Sequence, residues 1–218
     1  MAAAGLLGQH LMAAGTPGEP RALPMIRGER VYLRASERSD IPFFVRWFND
    51  SETSSFLSMR APLSLPLEEN WFERMVEGQG REGYHFVICL LEDERPIGTI
   101  GLFAIDHLNG GAGMGITIGE KALWGKGLGT DALNALLDFT FGELRMERVW
   151  LDVYEFNARA RRSYEKCGFV LEGTKRRGFY RRGSYVDVQL MSILRDEWAG
   201  LQRKRSWDYA AEGSAASR

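Results

Sequence analysis

The sequence predicts one α/β (α+β) domain, built on a mixed, twisted sheet of about seven strands with helices on both faces. The predicted elements run in the order β, α, α, three strands, then α, β, α, β, β. A β–α–β crossover over residues 113–153 requires locally parallel strands, whereas the hairpins before it require antiparallel pairing. We therefore expect a single domain over about residues 26–198.

The first half of the chain contains four predicted strands and two predicted helices. The alternating segment RVYLRAS at 30–36 predicts a strand. Aromatic residues at helical spacing predict a helix at 39–50, and LPLEENWFERMVEG predicts a second helix that ends near Gly78. Three segments rich in β-branched and aromatic residues predict the next strands, at 84–93, 97–106 and 113–120.

The second half alternates between helices and strands. Residues 128–144 predict a long helix, and ERVWLDVYE at 147–155 predicts a buried strand. A short helix over 157–168 ends at a glycine. The segment 169–194 then predicts two strands joined by RRGS.

Composition excludes several classes of protein. The 218 residues carry a net charge of −1, which does not favour binding to nucleic acid or to an anionic membrane surface. No apolar run approaches the roughly 20 residues that span a bilayer. The two cysteines, Cys89 and Cys167, are far apart and form neither a disulfide framework nor a metal-ligand pattern. We expect a cytoplasmic, reducing location.

Both ends of the chain differ from the rest. Residues 1–24 are rich in Ala, Gly and Pro and lack the basic segment with which a signal peptide begins, so we expect a flexible N-terminal extension. Residues 199–218, which end in AAEGSAASR, are expected to form a C-terminal tail.

A glycine-rich stretch, WGKGLGTDA at 124–132, stands where a helix begins. Helix N-termini carry unpaired N–H groups and partial positive charge, so Gly125, Gly127 and Gly129 could admit an anion, with Thr130 adding a hydroxyl. The Walker pattern is absent, because Lys126 is not followed by Ser or Thr, and the Rossmann Gly-x-Gly-x-x-Gly spacing is absent as well. From these residues alone, an anion site and a simple tight turn are equal alternatives.

Further segments give the stretch a context. It resembles the Gln/Arg-x-x-Gly-x-Gly/Ala acyl-CoA loop of the GNAT N-acetyltransferases, and the wider chain resembles the ribosomal-protein and spermidine acetyltransferase branch. GMGITIG at 113–119 is similar to the strand before the loop, and NARARRSYEKCGF at 157–169 to the Asn-x-x-Ala-x-x-x-Tyr element of the family. GSYVDVQLMSILRDEW at 183–198 is similar to the closing segment of the branch.

The resemblance implies a GNAT-like fold, acetyl-CoA as co-substrate and no metal. It implies that Tyr164 protonates the departing thiolate, and that Asn157, also a good helix N-cap, contacts the pantetheine arm. The remaining residues that it assigns to the co-substrate are Ile116, Thr117 and Ile118 on a splayed strand, and Trp124, Gly125, Lys126, Gly127, Leu128, Gly129 and Thr130 in the loop.

Two departures from the family pattern concern this site. Trp124 stands where Gln or Arg is commonest, and Gly113 replaces a frequent Glu of the branch. The proton acceptor is therefore open between Asp106, His107, Glu120 and a water chain.

The implied reaction moves an acetyl group from acetyl-CoA to a primary amine by direct attack in a ternary complex. The alternatives are a longer acyl-CoA donor or a non-catalytic acyl-CoA-binding module. A protein N-terminus, a polyamine, an amino acid and an amino sugar all remain open as acceptors. The basic run 175–183 predicts a solvated hairpin, with attraction of an acidic substrate or contact with a cofactor phosphate as the alternatives. No nucleic acid or membrane partner is expected, and a homodimer is compatible with the sequence.

Overall fold

The computed structural model describes residues 24–209, so the predictions for residues 1–23 and 210–218 lie outside the described part of the chain. The elements in chain order are β1 Ile26–Arg27, β2 Val31–Ala35, α1 Ile41–Asn49, α2 Leu65–Gly78, β3 Gly83–Leu90, β4 Pro96–Asp106, β5 Gly111–Ile118, α3 Leu128–Asp138, β6 Arg148–Tyr154, α4 Ala158–Lys166, β7 Val170–Arg181, β8 Ser184–Leu194 and α5 Arg195–Gly200.

The strands form one mixed sheet in the order β1-β2-β3-β4-β5-β6-β8-β7. Only the β5–β6 pair is parallel among the described strands, as the predicted crossover requires. The mixed α/β class is confirmed, with eight strands instead of about seven. The additional strand, β1, has two residues and is too short to show an alternating pattern.

One helix is shorter than its sequence predicts. Residues 128–144 suggested a single helix, but α3 ends at Asp138 and residues 139–143 form a π-helical turn. The hydroxyl of Thr140 donates to the carbonyl oxygen of Leu136 at 2.7 Å within this segment. Buried apolar residues occur in both elements, among them Leu136, Phe139 and Phe141, so the sequence pattern does not distinguish the two helix types.

The parallel pair β5–β6 opens along its length. Gly111–Gly113 of β5 pair with Arg148–Trp150 of β6, and no pairing continues beyond these residues. On its other side, β5 stays paired with β4 as far as Ile118. The strands therefore splay apart after Gly113, which leaves one edge of residues 116–118 without a partner strand.

Helices cover both faces of the sheet. Phe86 and Ile88 of β3 belong to the main core, which α3 and α4 complete on one face. Val87 and Cys89 alternate with them and pack against Phe44 and Trp47 of α1 on the other face. Within residues 24–209, no helix combines the length and apolar character that crossing a membrane requires.

The packed chain continues past residue 198, where the sequence suggested that a tail begins. Asp138, at the end of α3, is buried and accepts hydrogen bonds from the Trp198 indole at 2.9 Å, both Arg203 terminal nitrogens at 2.6 and 2.9 Å, and the Ser206 amide at 2.8 Å. Residues 199–209 are therefore held by a buried carboxylate, which their polar sequence does not reveal.

Candidate active site

The glycine loop presents open backbone at the start of α3. Gly127 caps the helix with φ of 83°, and Gly125 has φ of 75°, a conformation that favours glycine. A Cβ built on either residue would meet nothing within 4 Å among the described atoms. The loop thus combines exposed N–H groups with room for a ligand beside the positive end of the helix dipole.

The turn between β1 and β2 fixes this loop from outside. The carboxylate of Asp131, in the first turn of α3, accepts the amides of Glu29, Arg30 and Val31 at 2.8–3.0 Å. The Arg30 guanidinium donates to the carbonyl oxygen of Lys126 at 2.8 Å. The loop is therefore held in place before any ligand binds.

Trp124 joins the loop to the free end of β5. Its indole Nε1 donates to the carbonyl oxygen of Ile118 at 2.7 Å, and its ring lies edge-on to Phe56 with centroids 6.1 Å apart. The guanidinium of Arg159 lies 3.9 Å from the indole centroid, a cation–π contact. Through this contact Arg159 lies beside the loop, although Trp124 itself replaces the Gln or Arg of the family pattern.

A large cavity connects these elements with the gap between β5 and β6. Its volume is about 1020 Å³. It brings together the residues singled out from the sequence except Lys126, which is exposed outside it: Ile116, Thr117, Ile118, Trp124, Gly125, Gly127, Leu128, Gly129, Thr130, Asn157 and Tyr164 line the wall.

Tyr164 lies on α4 with its side chain almost wholly buried. Its ring packs against Phe169, with centroids 5.9 Å apart. Burial raises the pKa of Tyr164 to about 12, and the neighbouring Cys167 thiol adds to the shift. The phenol therefore keeps its proton at neutral pH and is available as a donor inside the cavity.

Asn157 is the N-cap of α4, as the sequence predicted. Its side-chain oxygen accepts the Ala160 amide at 3.2 Å. The same residue lines the cavity, so its amide nitrogen remains available to a ligand there.

The acidic and basic candidates named from the sequence lie away from the cavity wall. Asp106 accepts the Asn109 side-chain amide at 2.7 Å and the Asn109 and Leu108 backbone amides at 2.9 and 3.0 Å, and these bonds lower its pKa. Glu120 pairs with Arg46 and the Trp47 indole. Like these two residues, His107 is not among the residues that line the cavity.

Position 113 has no room for a side chain. A Cβ on Gly113 would meet the ring of Phe103 at 2.5–2.9 Å, and that ring packs edge-on against Trp150 with centroids 5.4 Å apart. Phe103 therefore occupies the space that the family glutamate would need.

Sequence reasoning missed Glu68 and His85, which are titratable residues on the cavity wall. Glu68 of α2 is 4% exposed, and burial raises its pKa to about 7. His85 of β3 lies edge-on to Trp71, with centroids 5.0 Å apart, and burial lowers its pKa. One signal for Glu68 was available: it lies three and four residues before Trp71 and Phe72, on the face that α2 buries.

Three cations on one face of α4 were also missed. Arg159, Arg162 and Lys166 follow the spacing i, i+3, i+7 and all line the cavity. They lie on the helix that packs beside α3, so the cavity has a positive side. Within the described residues, no group of three or more His, Cys, Asp or Glu side chains is arranged to hold a metal ion.

Comparison with known proteins identifies this arrangement. Residues 30–170 match the acetyltransferase (GNAT) domain family. The probable N-acetyltransferase YjcK of Bacillus subtilis is 33% identical over 179 residues, which cover 78% of this chain and 97% of YjcK.

Solved structures agree. The spermidine N-acetyltransferase of Vibrio cholerae in complex with CoA and spermine superposes with a TM-score of 0.73 at 28% identity, covering 78% of this chain and 98% of that one. A dodecameric structure of that enzyme in an intermediate state gives a TM-score of 0.67, covering 78% and 96% of the two chains at 28% identity. The chain belongs to the GNAT family and is an N-acetyltransferase.

Proposed function

We propose that acetyl-CoA is the donor, that a primary amine attacks it directly, and that both occupy the cavity together. The observation that carries this proposal is the junction of three features at one cavity. These are the unpaired edge of β5, the glycine loop at the start of α3, and the buried hydroxyl of Tyr164.

The residues present suit CoA. Gly125 and Gly127 leave open space at the helix N-terminus, where backbone N–H groups would hold the pyrophosphate. The backbone of 116–118 lacks a partner strand and would pair with the amides of the pantetheine arm. Arg159, Arg162 and Lys166 supply positive charge for the remaining phosphate.

The chemistry assigned to Tyr164 follows from its environment. Acetyl-CoA supplies an acetyl thioester, whose sulfur needs a proton once the carbon–sulfur bond breaks. A thiol has a pKa near ~8.5, and a phenol positioned at the sulfur can donate a proton or a hydrogen bond to it. With a pKa of about 12, Tyr164 carries its proton at neutral pH and would meet the leaving sulfur as a donor.

An acyl-cysteine route is not favoured. Cys167 is fully buried, its Sγ lies 3.7 Å from the carbonyl oxygen of Thr130, and burial raises its pKa to about 12. A thiol with that pKa is protonated and poorly nucleophilic at neutral pH. Direct attack by the amine therefore remains the simpler route.

Less direct observations support proposals on the cellular location, the domain bounds and the acceptor. Cys89 and Cys167 are free and buried, which suits a reducing, cytoplasmic location. The domain proposed over 26–198 is compatible with the matched region 30–170, and the contacts of Asp138 with Arg203 and Ser206 extend its packed part beyond residue 198. The homodimer considered from the sequence stays a prediction, and a polyamine, as bound by the Vibrio cholerae enzyme, is one acceptor to test.

Thermal unfolding with and without acetyl-CoA tests the proposal first. At about 100 times its dissociation constant, a ligand adds ~2.7 kcal/mol of stability. Each kcal/mol raises the Tm of a domain of this size by roughly 2–4 °C. We expect a clear shift with acetyl-CoA and none with ATP or NAD, followed by release of free thiol when amines are added. A shift without turnover of any amine would favour the non-catalytic binding module, and no shift would remove acetyl-CoA as the donor.

A further inference from the structure

No contact within the described fold accounts for the burial of Glu68. Glu68 is 4% exposed on α2, and within residues 24–209 its carboxylate forms neither an ion pair nor a hydrogen bond. Burying a carboxyl without a partner is costly, so such groups are normally paired. The carboxylate oxygens of Glu68 are not among the fully enclosed polar atoms of the described residues, and Glu68 lines the large cavity, so a ligand in that cavity can supply the partner.

The surroundings of Glu68 are aromatic and lie on the face of the sheet opposite α3. Phe44 and Phe48 of α1 line the same cavity, as does Trp71, three residues after Glu68 on α2; Phe44 meets Trp71 edge-on at 6.4 Å between centroids. His85 of β3 completes this wall through its contact with Trp71. Aromatic faces attract organic cations and pack against apolar groups. This aromatic part of the cavity therefore suits an amine that carries its charge at one end.

Among residues 24–209, Glu68 is the one carboxylate on the cavity wall without an ion-pair partner. Asp152, the other acidic residue on the cavity wall, is already bound by Lys175 Nζ at 2.7 and 2.9 Å to its two oxygens. Around α2, His85 faces the cavity from β3, whereas Arg38 pairs with Glu73 outside it. The other titratable groups on the wall are Tyr154, Tyr164, Arg159, Arg162 and Lys166. A polyamine would bring additional positive charges that find no unpaired carboxylate on this wall.

We propose that Glu68 binds the ammonium group of the acceptor and takes its proton, and that the acceptor is a monoamine with an apolar or aromatic body. This inference rests on the proposed function and names the acceptor class for the same cavity. It supplies the proton acceptor that Gly113 cannot provide.

The proton transfers balance. Glu68 takes one of the three ammonium protons, which leaves a neutral amine with a free electron pair. Tyr164 gives its hydroxyl proton to the sulfur while the carbon–nitrogen bond forms and the carbon–sulfur bond breaks, and it regains a proton from the new amide nitrogen. Glu68 then releases its proton to solvent, so each turnover frees one proton.

The test uses the full-length enzyme with phenethylamine and spermidine as acceptors. Release of free thiol gives kcat and KM across pH, and calorimetry gives the Kd of acetyl-CoA and of phenethylamine on the CoA-bound protein. Glu68→Gln removes the charge with little change of shape. Glu69→Gln is the matched control, because Glu69 is the exposed neighbour on the same helix. Glu68→Asp keeps a carboxylate.

We expect phenethylamine to exceed spermidine in kcat/KM by about tenfold or more. Glu68→Gln should weaken phenethylamine binding about tenfold, lower kcat/KM by roughly 100-fold and remove the acid limb of the pH profile, with the Kd of acetyl-CoA unchanged. Glu69→Gln should match wild type, and Glu68→Asp should recover the acid limb.

The opposite results separate the two proposals. If acetyl-CoA binds and amines turn over, but Glu68→Gln retains wild-type phenethylamine affinity and pH profile, the inference is wrong and the proposed function stands. Preference for spermidine would likewise overturn the acceptor class alone. If acetyl-CoA does not bind to wild type, the proposed function fails, and the inference fails with it.

Discussion

The indole of Trp124 donates a 2.7 Å hydrogen bond to the carbonyl oxygen of Ile118, the last residue of β5. This bond connects the glycine loop to the strand edge that the splay leaves unpaired. A single hydrogen bond therefore joins the two surfaces that are proposed to hold the co-substrate. The guanidinium carbon of Arg159 lies 3.9 Å from the centroid of the same indole ring.

Trp124→Phe is expected to weaken acetyl-CoA binding while leaving kcat nearly unchanged. Phenylalanine keeps an aromatic ring but loses the N–H donor, which is worth about 1 kcal/mol, or roughly a fivefold rise in Kd. Calorimetry with acetyl-CoA measures the effect. Trp207→Phe is the control, because Trp207 lies outside the cavity wall. An equal rise in both variants would show that the Ile118 bond has no special part in binding.

Gly127→Ala is expected to weaken acetyl-CoA binding beyond its effect on stability. Gly127 has φ of 83°, and Gly183 in the β7–β8 turn has φ of 85°; both have open space where a Cβ would stand. Alanine at either position should therefore cost a similar ~1 kcal/mol of folding free energy. Denaturant unfolding and calorimetry on both variants separate strain from binding: only Gly127→Ala should raise the Kd of acetyl-CoA. A matching rise for Gly183→Ala would assign the effect to strain alone.

Tyr164→Phe should lower kcat by roughly 100-fold with little change in the Kd of acetyl-CoA. The substitution removes the proton donor and keeps the ring that packs against Phe169. Steady-state thiol release measures kcat, and Tyr185→Phe is the control, because Tyr185 is exposed on β8. Wild-type turnover by Tyr164→Phe would exclude the phenol as the proton donor.

The parts of the site that a local pattern encodes could be predicted from the sequence. The glycine loop, the capping role of Asn157 and the helix that carries Tyr164 depend on residues a few positions apart. The opposite wall could not be predicted in this way. Glu68 and His85 meet the cavity because α2 packs on β3, an arrangement that depends on the whole sheet.

The fold follows the same division. Helix α2 covers the segment expected for it, because its capping serine and apolar spacing are local signals. For residues 199–209 the sequence predicts only a tail, because the contacts that hold this segment to Asp138 join residues about 65 positions apart. Pairing over such a distance leaves no periodic signal in the sequence.

Asp138→Asn is expected to destabilise the protein strongly. The carboxylate is buried and binds the Arg203 guanidinium through both oxygens, and Arg205 lies 3.6 Å away. Removing one partner of a buried pair costs about 3–5 kcal/mol, because the remaining charges lose their counterion. Denaturant unfolding measures the loss. Asp93→Asn breaks an exposed pair with Arg95 and should cost at most ~1 kcal/mol. Equal effects would mean that the buried network does not hold the C-terminal segment.

Glu68→Gln is expected to stabilise the protein above neutral pH and to leave it unchanged in acid. The pKa of Glu68 rises from 4.5 to about 7 in the fold because of burial. Below pH 4.5 the group is neutral in both the folded and the unfolded state. Between these values the folded state keeps a proton that the unfolded chain has lost, so stability falls as the pH rises.

The loss is complete above the folded pKa and amounts to about 3 kcal/mol, from 1.36 kcal/mol per pKa unit. The measurement is the free energy of unfolding of Glu68→Gln minus that of wild type, taken from about pH 4.5 to 8 in urea. Glu69→Gln should give a flat difference, because Glu69 is exposed. A flat difference for Glu68→Gln as well would contradict the raised pKa. A rising one would mean that the fold gives up stability above pH 7 to keep an unpaired carboxylate beside the proposed acceptor.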